Sequence, residues 1–249
     1  MAMRRLLVVN PNTSAAVSAK LLRYVTEVVG SSEVSLRVAT AGFGASYISD
    51  EPSFAIAAHA ALDAVARDHE AHGPADAVLL GCFGDPGIEA LRALTGRPVV
   101  GLAESTLSEA ARLGRFAIVT GGAAWKPMLE RIARALGWDE QLVRVEVLPA
   151  SGAQLAAEPE RAVRELTEAC RRAAVGVDAV VLGGAGLAGL APRIAPALAL
   201  PLIDSVTAGS RALLAAVGVQ ALPVGDPRVA AAEWQGLSLP LLRRLGGDV

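Results

Sequence analysis

Cys82 is the residue whose neighbours in the sequence best suit acid–base chemistry. It follows the apolar run 75–80 and lies in the glycine-rich turn 81–87. Asp85-Pro86 predicts a helix start, with Asp85 as N-cap and Pro86 in the first turn. A thiol beside a helix N-terminus is expected to have a lowered pKa. The backbone N–H groups near 83–85 and 183–186 are then expected to stabilise an enolate. The alternative is a buried cysteine with a packing role.

Polar groups also follow other predicted strands. In the segment 10–14, Asn-Pro-Asn-Thr-Ser, one side chain must cap the next helix, and the others present donors to a cleft. Thr120-Gly121-Gly122 occupies the equivalent place later in the chain. Tyr47 lies on a glycine-containing loop and either closes over a ligand or is an ordinary surface residue. Capping alone explains Asp85, and an acid–base role for it is the less favoured alternative.

Three other features are given little weight. The segment 184–189 matches the dinucleotide pattern G-x-G-x-x-G, with Asp204 about 20 residues later. Pro192 and Pro196 disfavour the helix that this pattern needs, so nucleotide binding is a minor alternative. Cys170 falls within a predicted helix and is assigned to the core. The three histidines lack ligand spacing, so no metal site is predicted; they are His59, His69 and His72.

Composition indicates a folded protein with a substantial apolar core. Hydrophobic residues make up 53% of the 249 residues and charged ones 19%, enough apolar surface for a large core. The formal charge of −2 gives no reason to expect nucleic acid or an anionic membrane as a partner. The apolar start breaks at Asn10, too early for a signal peptide, and two cysteines make no disulfide framework. We therefore expect a cytoplasmic protein, and the apolar helix faces favour a homo-oligomer.

The chain repeats itself. The segment 75–87 resembles 177–189, with Asp76 on Asp178 and three glycines on three glycines. The flanking segments follow in the same order, since 5–10 resembles 115–120 and 97–101 resembles 200–204. Cys82 aligns with Gly184. Three matched segments in one order predict two copies of a single α/β unit.

Short apolar runs alternate with Ala-rich amphipathic segments, which is typical of parallel α/β sheets. Strands are predicted near 5–10, 35–40, 76–81, 98–101, 115–120, 143–148, 178–183 and 201–204. Helices are predicted over 14–29, 54–69, 88–94, 126–136, 159–174 and 207–217. The predicted fold is two pseudo-symmetric parallel-sheet α/β domains, 1–102 plus about 207–249 and 103–206. Ligands bind beyond the carboxyl ends of such strands, so the active site is expected in the cleft between the domains.

Four segments resemble one known family nearly along the whole chain. They are Asn-Pro-Asn-Thr-Ser at 10–14, Gly-Cys-Phe-Gly-Asp-Pro-Gly at 81–87, Pro-Val-Val-Gly-Leu-Ala-Glu at 98–104 and Leu-Gly-Gly-Ala-Gly at 182–186. They are similar to the aspartate/glutamate/hydantoin racemase family, in its hydantoin and allantoin racemase branch. The resemblance implies an isomerase without a cofactor, with two cysteines on opposite faces of the substrate carbon.

The resemblance also assigns individual residues. It places Cys82 on the first catalytic cysteine, and it implies a substrate pocket formed by Asn12, Tyr47, Ile48, Phe83, Gly84, Thr120, Gly121, Gly184, Ala185 and Gly186. The second cysteine of the family falls on Gly184, which has no side chain. The internal repeat gives the same result independently, and Cys170 lies too far upstream to substitute.

A single thiol leaves several functions open. The favoured one is a racemase-like isomerase that moves a proton at a carbon next to the carbonyl of a hydantoin or amino-acid derivative, with Cys82 as acid or base. A single cysteine also suits a cofactor-free decarboxylase of the arylmalonate type, or nucleophilic attack on a double bond in a maleate-type cis–trans isomerase. A module that binds a nucleotide or metabolite without chemistry is the alternative of another class.

Overall fold

Two four-stranded parallel sheets form the framework of the protein. The structure is a computed structural model that describes residues 3–30, 33–219 and 233–246. The first sheet contains β1 (Arg4–Asn10), β2 (Val34–Thr40), β3 (Ala77–Leu80) and β4 (Val99–Gly101), in the order β2-β1-β3-β4. The second contains β5 (Phe116–Gly121), β6 (Leu142–Leu148), β7 (Ala179–Leu182) and β8 (Leu202–Asp204), in the order β6-β5-β7-β8. The matching orders confirm the predicted fold class of two parallel-sheet α/β units.

The helices connect these strands. They are α1 (Ala15–Val29), α2 (Glu51–His72), α3 (Ile88–Thr95), α4 (Leu102–Leu113), α5 (Trp125–Ala135), α6 (Gly152–Ala157), α7 (Pro159–Ala173), α8 (Ala191–Ile194), α9 (Ser205–Ala216) and α10 (Leu239–Arg244). All six predicted helical segments form, with shifted ends. The sequence analysis did not predict α4 or the short helices α6, α8 and α10. It missed α4 because this helix starts directly after β4 with no turn residues between them.

The predicted helix start at Asp85-Pro86 is wrong. Helix α3 begins at Ile88, and its N-cap is Gly87, in the left-handed region at φ +75° and with no side-chain cap. Asp85 is itself left-handed at φ +55°. Its carboxylate does not cap α3 and accepts hydrogen bonds at the start of α4 instead.

Alternate residues of each central strand face different cores. In β1, Leu6 and Val8 face an inner core, whereas Leu7 and Val9 face an outer one covered by α2 and α3. The inner core continues into the second half, where it includes Phe116 of β5 and side chains of α4, α5 and α9. Helix α7 covers the outer face of the second sheet. The two halves thus share one apolar layer, which fixes the loops at their strand ends relative to one another.

The last helices return to the first half. Helix α9 packs against α1, α4 and strands β3 and β4, and α10 packs against α2. These contacts agree with assigning the C-terminal segment to the first domain, although the domain division itself stays a prediction. Within the described ranges, no helix has the length and apolar character needed to cross a membrane.

Candidate active site

A small cavity lies where the carboxyl ends of both sheets meet. Its volume is about 30 Å³, which is room for roughly two water molecules. Loops after β1, β2, β3, β5 and β7 contribute to it, as predicted for parallel sheets. Its lining residues are Asn12, Val17, Tyr47, Ile48, Gly81, Cys82, Phe83, Thr120, Trp125, Gly184, Ala185 and Gly186. A larger groove of about 700 Å³ along α4 and α9 has no cysteine in its lining.

The structure brings together nearly all the residues that the sequence analysis singled out. Gly84 and Gly121 are the two that do not line the cavity. Gly84 packs against the rings of Trp125 and Phe54, and Gly121 packs against other second-half residues. The lining residues that the sequence analysis missed are Val17, Gly81 and Trp125. Trp125 could have been found from the glycine-rich turn that precedes it.

The predicted low pKa of Cys82 is wrong. The side chain is 7% exposed, and burial, followed by the charge of Asp85, raises the pKa of the Cys82 thiol. The helix expected beside it begins only at Ile88, too far along the chain for its N-terminus to stabilise a thiolate. The thiol is therefore protonated at neutral pH.

Part of the predicted N–H donor set is already used. The carbonyl oxygen of Cys82 accepts from the N–H of Gly84 at 2.9 Å and of Asp85 at 3.1 Å. Gly184 donates its N–H to Ser205 Oγ at 3.1 Å. Among the described residues, the N–H groups of Phe83, Ala185 and Gly186 have no partner, and all three residues line the cavity.

Asp85 caps a helix that is distant in sequence, not the one that follows it. Its carboxylate accepts from the N–H of Ala103 at 3.0 Å and of Glu104 at 2.8 Å, at the start of α4. Burial raises the pKa of Asp85 to about 7, and these two hydrogen bonds oppose that rise. The predicted capping role was correct in kind but assigned to the wrong helix.

The loop after β1 is held by its own amides. Asn10 Nδ2 donates to Asn12 Oδ1, to the carbonyl of Ser14 and to Ser18 Oγ at 2.9–3.1 Å. Asn12 Oδ1 also accepts from the N–H of Ser14. Ser14 is the residue that caps α1, accepting from Val17. Asn12 Nδ2 has no partner within the described residues, which leaves one amide donor at the cavity.

Tyr47, on the first-half loop between β2 and α2, reaches the second-half side of the cavity. Its hydroxyl rests against Gly152, where a Cβ would overlap it, and near Gly186. Burial, and then the charge of Cys82, raise the pKa of the Tyr47 phenol, so the hydroxyl is a neutral donor. Tyr47 is therefore not an ordinary surface residue, and its closing over a ligand stays a prediction.

Gly184 occupies the position opposite the thiol loop in the repeat. Its backbone has φ +136° and ψ 128°, a combination that residues with a Cβ avoid. Space is not the obstacle, since a Cβ there would meet Leu187 at 3.6 Å and Thr120 Oγ1 at 3.8 Å. The hydroxyl of Thr120 is therefore the nearest polar side-chain atom to that position.

Lys20 joins the two sides of the cavity and was not identified from the sequence. Its Nζ, on α1, donates to the carbonyl of Gly186 at 2.7 Å. Burial lowers the pKa of the Lys20 ammonium. A second bridge lies outside the cavity, where Arg131 of α5 binds both oxygens of Glu51 of α2 at 2.8 and 3.0 Å.

The segment that matched the dinucleotide pattern has a different structure. Residues Ala185–Leu187 form a 3₁₀ turn, and the helix that follows, α8, has four residues. Such a short helix lacks the aligned dipole on which a pyrophosphate rests. The nucleotide alternative loses its main support.

Two parallel-sheet halves of one topology, with a small cavity and a thiol between them, define a pseudo-symmetric class of α/β protein. The family model described as Asp/Glu/Hydantoin racemase matches residues 6–213. The chain belongs to this family, as the motif resemblance predicted.

Its relatives include proteins that share most of its length. The hydantoin racemase of Paenarthrobacter aurescens is 32% identical over 222 residues, covering 87% of this chain and 93% of that protein. The solved allantoin racemase of Klebsiella pneumoniae is 29% identical, with a TM-score of 0.83 over 94% of this chain and 96% of that one. An arylmalonate decarboxylase and the maleate isomerase of Pseudomonas putida S16 are 19% and 15% identical, with TM-scores of 0.60 and 0.65, and share the fold alone.

Proposed function

We propose that this protein is a racemase for a small hydantoin-like compound, with Cys82 transferring the proton at the carbon next to the ring carbonyl. The observation that carries the proposal is the position of Cys82, at a largely apolar cavity with a few polar side chains, formed by the strand ends of both halves. The similarity to hydantoin and allantoin racemases supports the same reaction class.

The lining favours a neutral substrate. Among the described residues, the cavity is lined by no Asp, Glu, Lys or Arg side chain. Besides the thiol, its side-chain polar groups are the amide of Asn12, the hydroxyl of Thr120, the phenol of Tyr47 and the indole N–H of Trp125. A free amino acid would bring an ammonium and a carboxylate, whose burial without partners is costly. A ring amide presents N–H and C=O groups that such neutral partners satisfy.

The chemistry follows from the state of the thiol. When a base removes the proton from the ring carbon, the C–H electron pair moves into the carbonyl and forms an enolate. The free N–H groups of Phe83, Ala185 and Gly186 stabilise its oxygen. The protonated thiol of Cys82 then returns a proton to its own face, leaving a thiolate that serves as base for the opposite enantiomer.

The other face needs a second proton carrier. Gly184 has none, so we assign this task to a water molecule held by the hydroxyl of Thr120, in the space that a side chain at 184 would fill. The site is therefore chemically unequal on its two faces. Because the present cavity has room for roughly two water molecules, the loops must separate before a ring can enter.

Isotope exchange in deuterium oxide tests the proposal. Each enantiomer of a 5-substituted hydantoin and of allantoin is incubated separately, and racemisation is followed by circular dichroism and deuterium by NMR. We expect the product to carry deuterium at the ring carbon. We also expect one recovered substrate enantiomer to gain deuterium faster than its mirror image, because only one face is served by a thiol.

A second candidate is a single-cysteine enzyme of another reaction class, which the alignment of Cys82 with Gly184 in the repeat supports. A single-cysteine decarboxylase would release CO₂ from an arylmalonate, and a cis–trans isomerase would convert maleate to fumarate. Both substrates are included in the assay. Either reaction without hydantoin exchange would replace the proposal, and no reaction with any substrate would leave a binding function.

A further inference from the structure

The helices that follow the last strand of each half are capped in different ways. Leu80 pairs with Gly101 in the first sheet, and Leu182 pairs with Asp204 in the second. Since Leu80 and Leu182 are equivalent in the repeat, Gly101 and Asp204 are equivalent too. Asp204 caps α9 locally, its Oδ1 accepting from the N–H and the hydroxyl of Thr207 at 2.8 and 3.0 Å. Gly101 has no side chain with which to cap α4.

Asp85 supplies the missing cap from the thiol turn. Its two carboxylate oxygens take the N–H groups of Ala103 and Glu104. A Cβ on Gly101 would overlap this carboxyl group. The carboxyl group of Asp85 can therefore reach α4 only because residue 101 is glycine, and α4 needs that carboxyl group because glycine provides no cap. In the second half the residue equivalent to Asp85 is Leu187, and no such exchange exists among the described residues.

The residue that supplies this cap has an unusual backbone conformation. Asp85 is the one non-glycine residue with positive φ in the described chain, a region that few residues other than Gly, Asn and Asp adopt. Its backbone N–H also binds the carbonyl of Cys82. The hydrogen bonds of the carboxyl group to α4 therefore also fix the turn that carries the sulfur. An unusual backbone conformation of this kind persists where several surrounding contacts hold it in place.

We propose that Asp85 is a positioning residue, which ties the Cys82 turn to the N-terminus of α4 and sets the charge that the thiol experiences. The inference rests on the proposed function for the reaction itself, but the state of the thiol is measurable without substrate. The ionisable groups around the pair are Tyr47 beside Cys82, and Glu104 and Arg92 beside Asp85. The charge that acts on the Cys82 thiol is that of Asp85.

The sign of the effect follows from the charges. A negative carboxylate disfavours a thiolate, so removing it lowers the pKa of Cys82. The pKa of Asp85 is about 7, so the effect is present above about pH 7 and fades below it as the carboxyl group protonates. The measurement is the pH dependence of Cys82 alkylation by iodoacetamide, followed peptide by peptide by mass spectrometry.

Asp85→Asn and Asp204→Asn form a matched pair. An amide has one acceptor oxygen, so Asp85→Asn removes the charge and one of two hydrogen bonds, whereas Asp204→Asn keeps both bonds because a single oxygen accepts them. We expect Asp85→Asn to move the alkylation midpoint to lower pH and to reduce kcat about 100-fold, the order of loss for a catalytic group misplaced by about 1 Å. Asp204→Asn leaves the midpoint unchanged. Cys170, buried in α7, reports general unfolding by becoming reactive.

The double variant Asp85→Gly with Gly101→Asp separates positioning from capping. It gives α4 a local cap like that of α9, since the backbone at 101 is extended as it is at 204. It also returns a carboxylate to the helix start but cuts its link to the thiol turn. We expect thermal stability to exceed that of Asp85→Gly alone, while kcat stays about 100-fold low.

Two results would overturn the proposal. Recovery of full turnover in the double variant would show that Asp85 acts as a helix cap and nothing more. An unchanged alkylation midpoint in folded Asp85→Asn would show that its charge does not reach the thiol. If no variant or wild type turns over any substrate, the proposed function fails, but the alkylation midpoints still decide the coupling between Asp85 and Cys82.

Discussion

The two halves present different groups at the same strand ends. After β3 the first half carries the thiol of Cys82, and Asp85 of the same turn caps α4, a helix distant in the sequence. After β7 the second half carries a bare glycine, and its helix is capped locally. Three equivalent pairs differ together: Cys82 and Gly184, Asp85 and Leu187, Gly101 and Asp204. The two halves therefore share one topology but differ at the loop after the third strand. The residues that differ are linked in the first half, because Asp85 contacts both the Cys82 turn and the helix that follows Gly101.

The backbone differs between the halves as well as the side chains. In the first half, Asp85 lies in the left-handed region, and its conformation is stabilised by hydrogen bonds. In the second half a positive φ is found at Gly184, the equivalent of Cys82, and the equivalent glycines Gly87 and Gly189 have positive φ in both halves. Each half thus has its unusual backbone within the loop after its third strand, but in one case the residue carries a charge and in the other it carries nothing.

The largest expected effect comes from the two cysteines, one in each half. We expect Cys82→Ala to lower the rate of hydantoin racemisation by about 10²–10⁴-fold, the usual contribution of a general acid–base group. Cys170→Ala is the control, because Cys170 lies in the outer core of the second half. It should retain activity and lose about 1 kcal/mol of unfolding free energy. Equal activity in the two variants would mean that the thiol of the first half has no special role in the reaction.

A second test asks whether the glycine of the second half can become a thiol. We expect Gly184→Cys to lose about 1–3 kcal/mol of unfolding free energy in urea titrations, because φ +136° is unfavourable for a residue with a Cβ. Gly42→Cys is the control, since its Cβ would meet open space and its φ is not in that region. Wild-type stability for Gly184→Cys would mean that the backbone at 184 does not favour glycine over the cysteine that stands at the equivalent position, 82, of the first half.

The smallest expected effect concerns the bridge between the halves. Lys20→Met removes the hydrogen bond to the Gly186 carbonyl, and we expect kcat/KM to fall about 10-fold, as for a hydrogen bond with a charged donor. Lys126→Met is matched to it, because Lys126 pairs with Glu130 on the exposed surface of α5. That pair contributes little. The measurement is the steady-state rate of both variants. Equal rates would mean that the hydrogen bond from Lys20 is not needed to position the loop that contains Gly186.

Much of the fold could be predicted from the residues alone. The apolar runs around Leu6, Val78, Ile118 and Val180 have the length and composition of buried parallel strands, and the repeat fixes their order. Helix α4 escaped because Leu102 follows β4 without a turn, and its cap comes from Asp85, far away in sequence. A local interpretation of Asp85-Pro86 was bound to assign that cap to the next helix.

The chemistry-bearing residues were likewise visible, but their state was not. Cys82, Asn12, Tyr47 and Thr120 follow strands, and the carboxyl ends of parallel strands must meet at one edge. The protonation of the thiol depends on burial and on the charge of Asp85, which no spacing reveals. Lys20 is ordinary in sequence and becomes notable through a single contact across the cavity.

Local patterns and the alignment of the repeat are enough to establish the duplicated α/β plan, the family, and a thiol paired in the repeat with a glycine. Only the folded chain shows which helix Asp85 caps, which backbone N–H groups remain free, and why the Cys82 thiol keeps its proton. Those properties arise from distances between segments far apart in the chain and from exclusion of water around them. Short-range patterns carry no record of either.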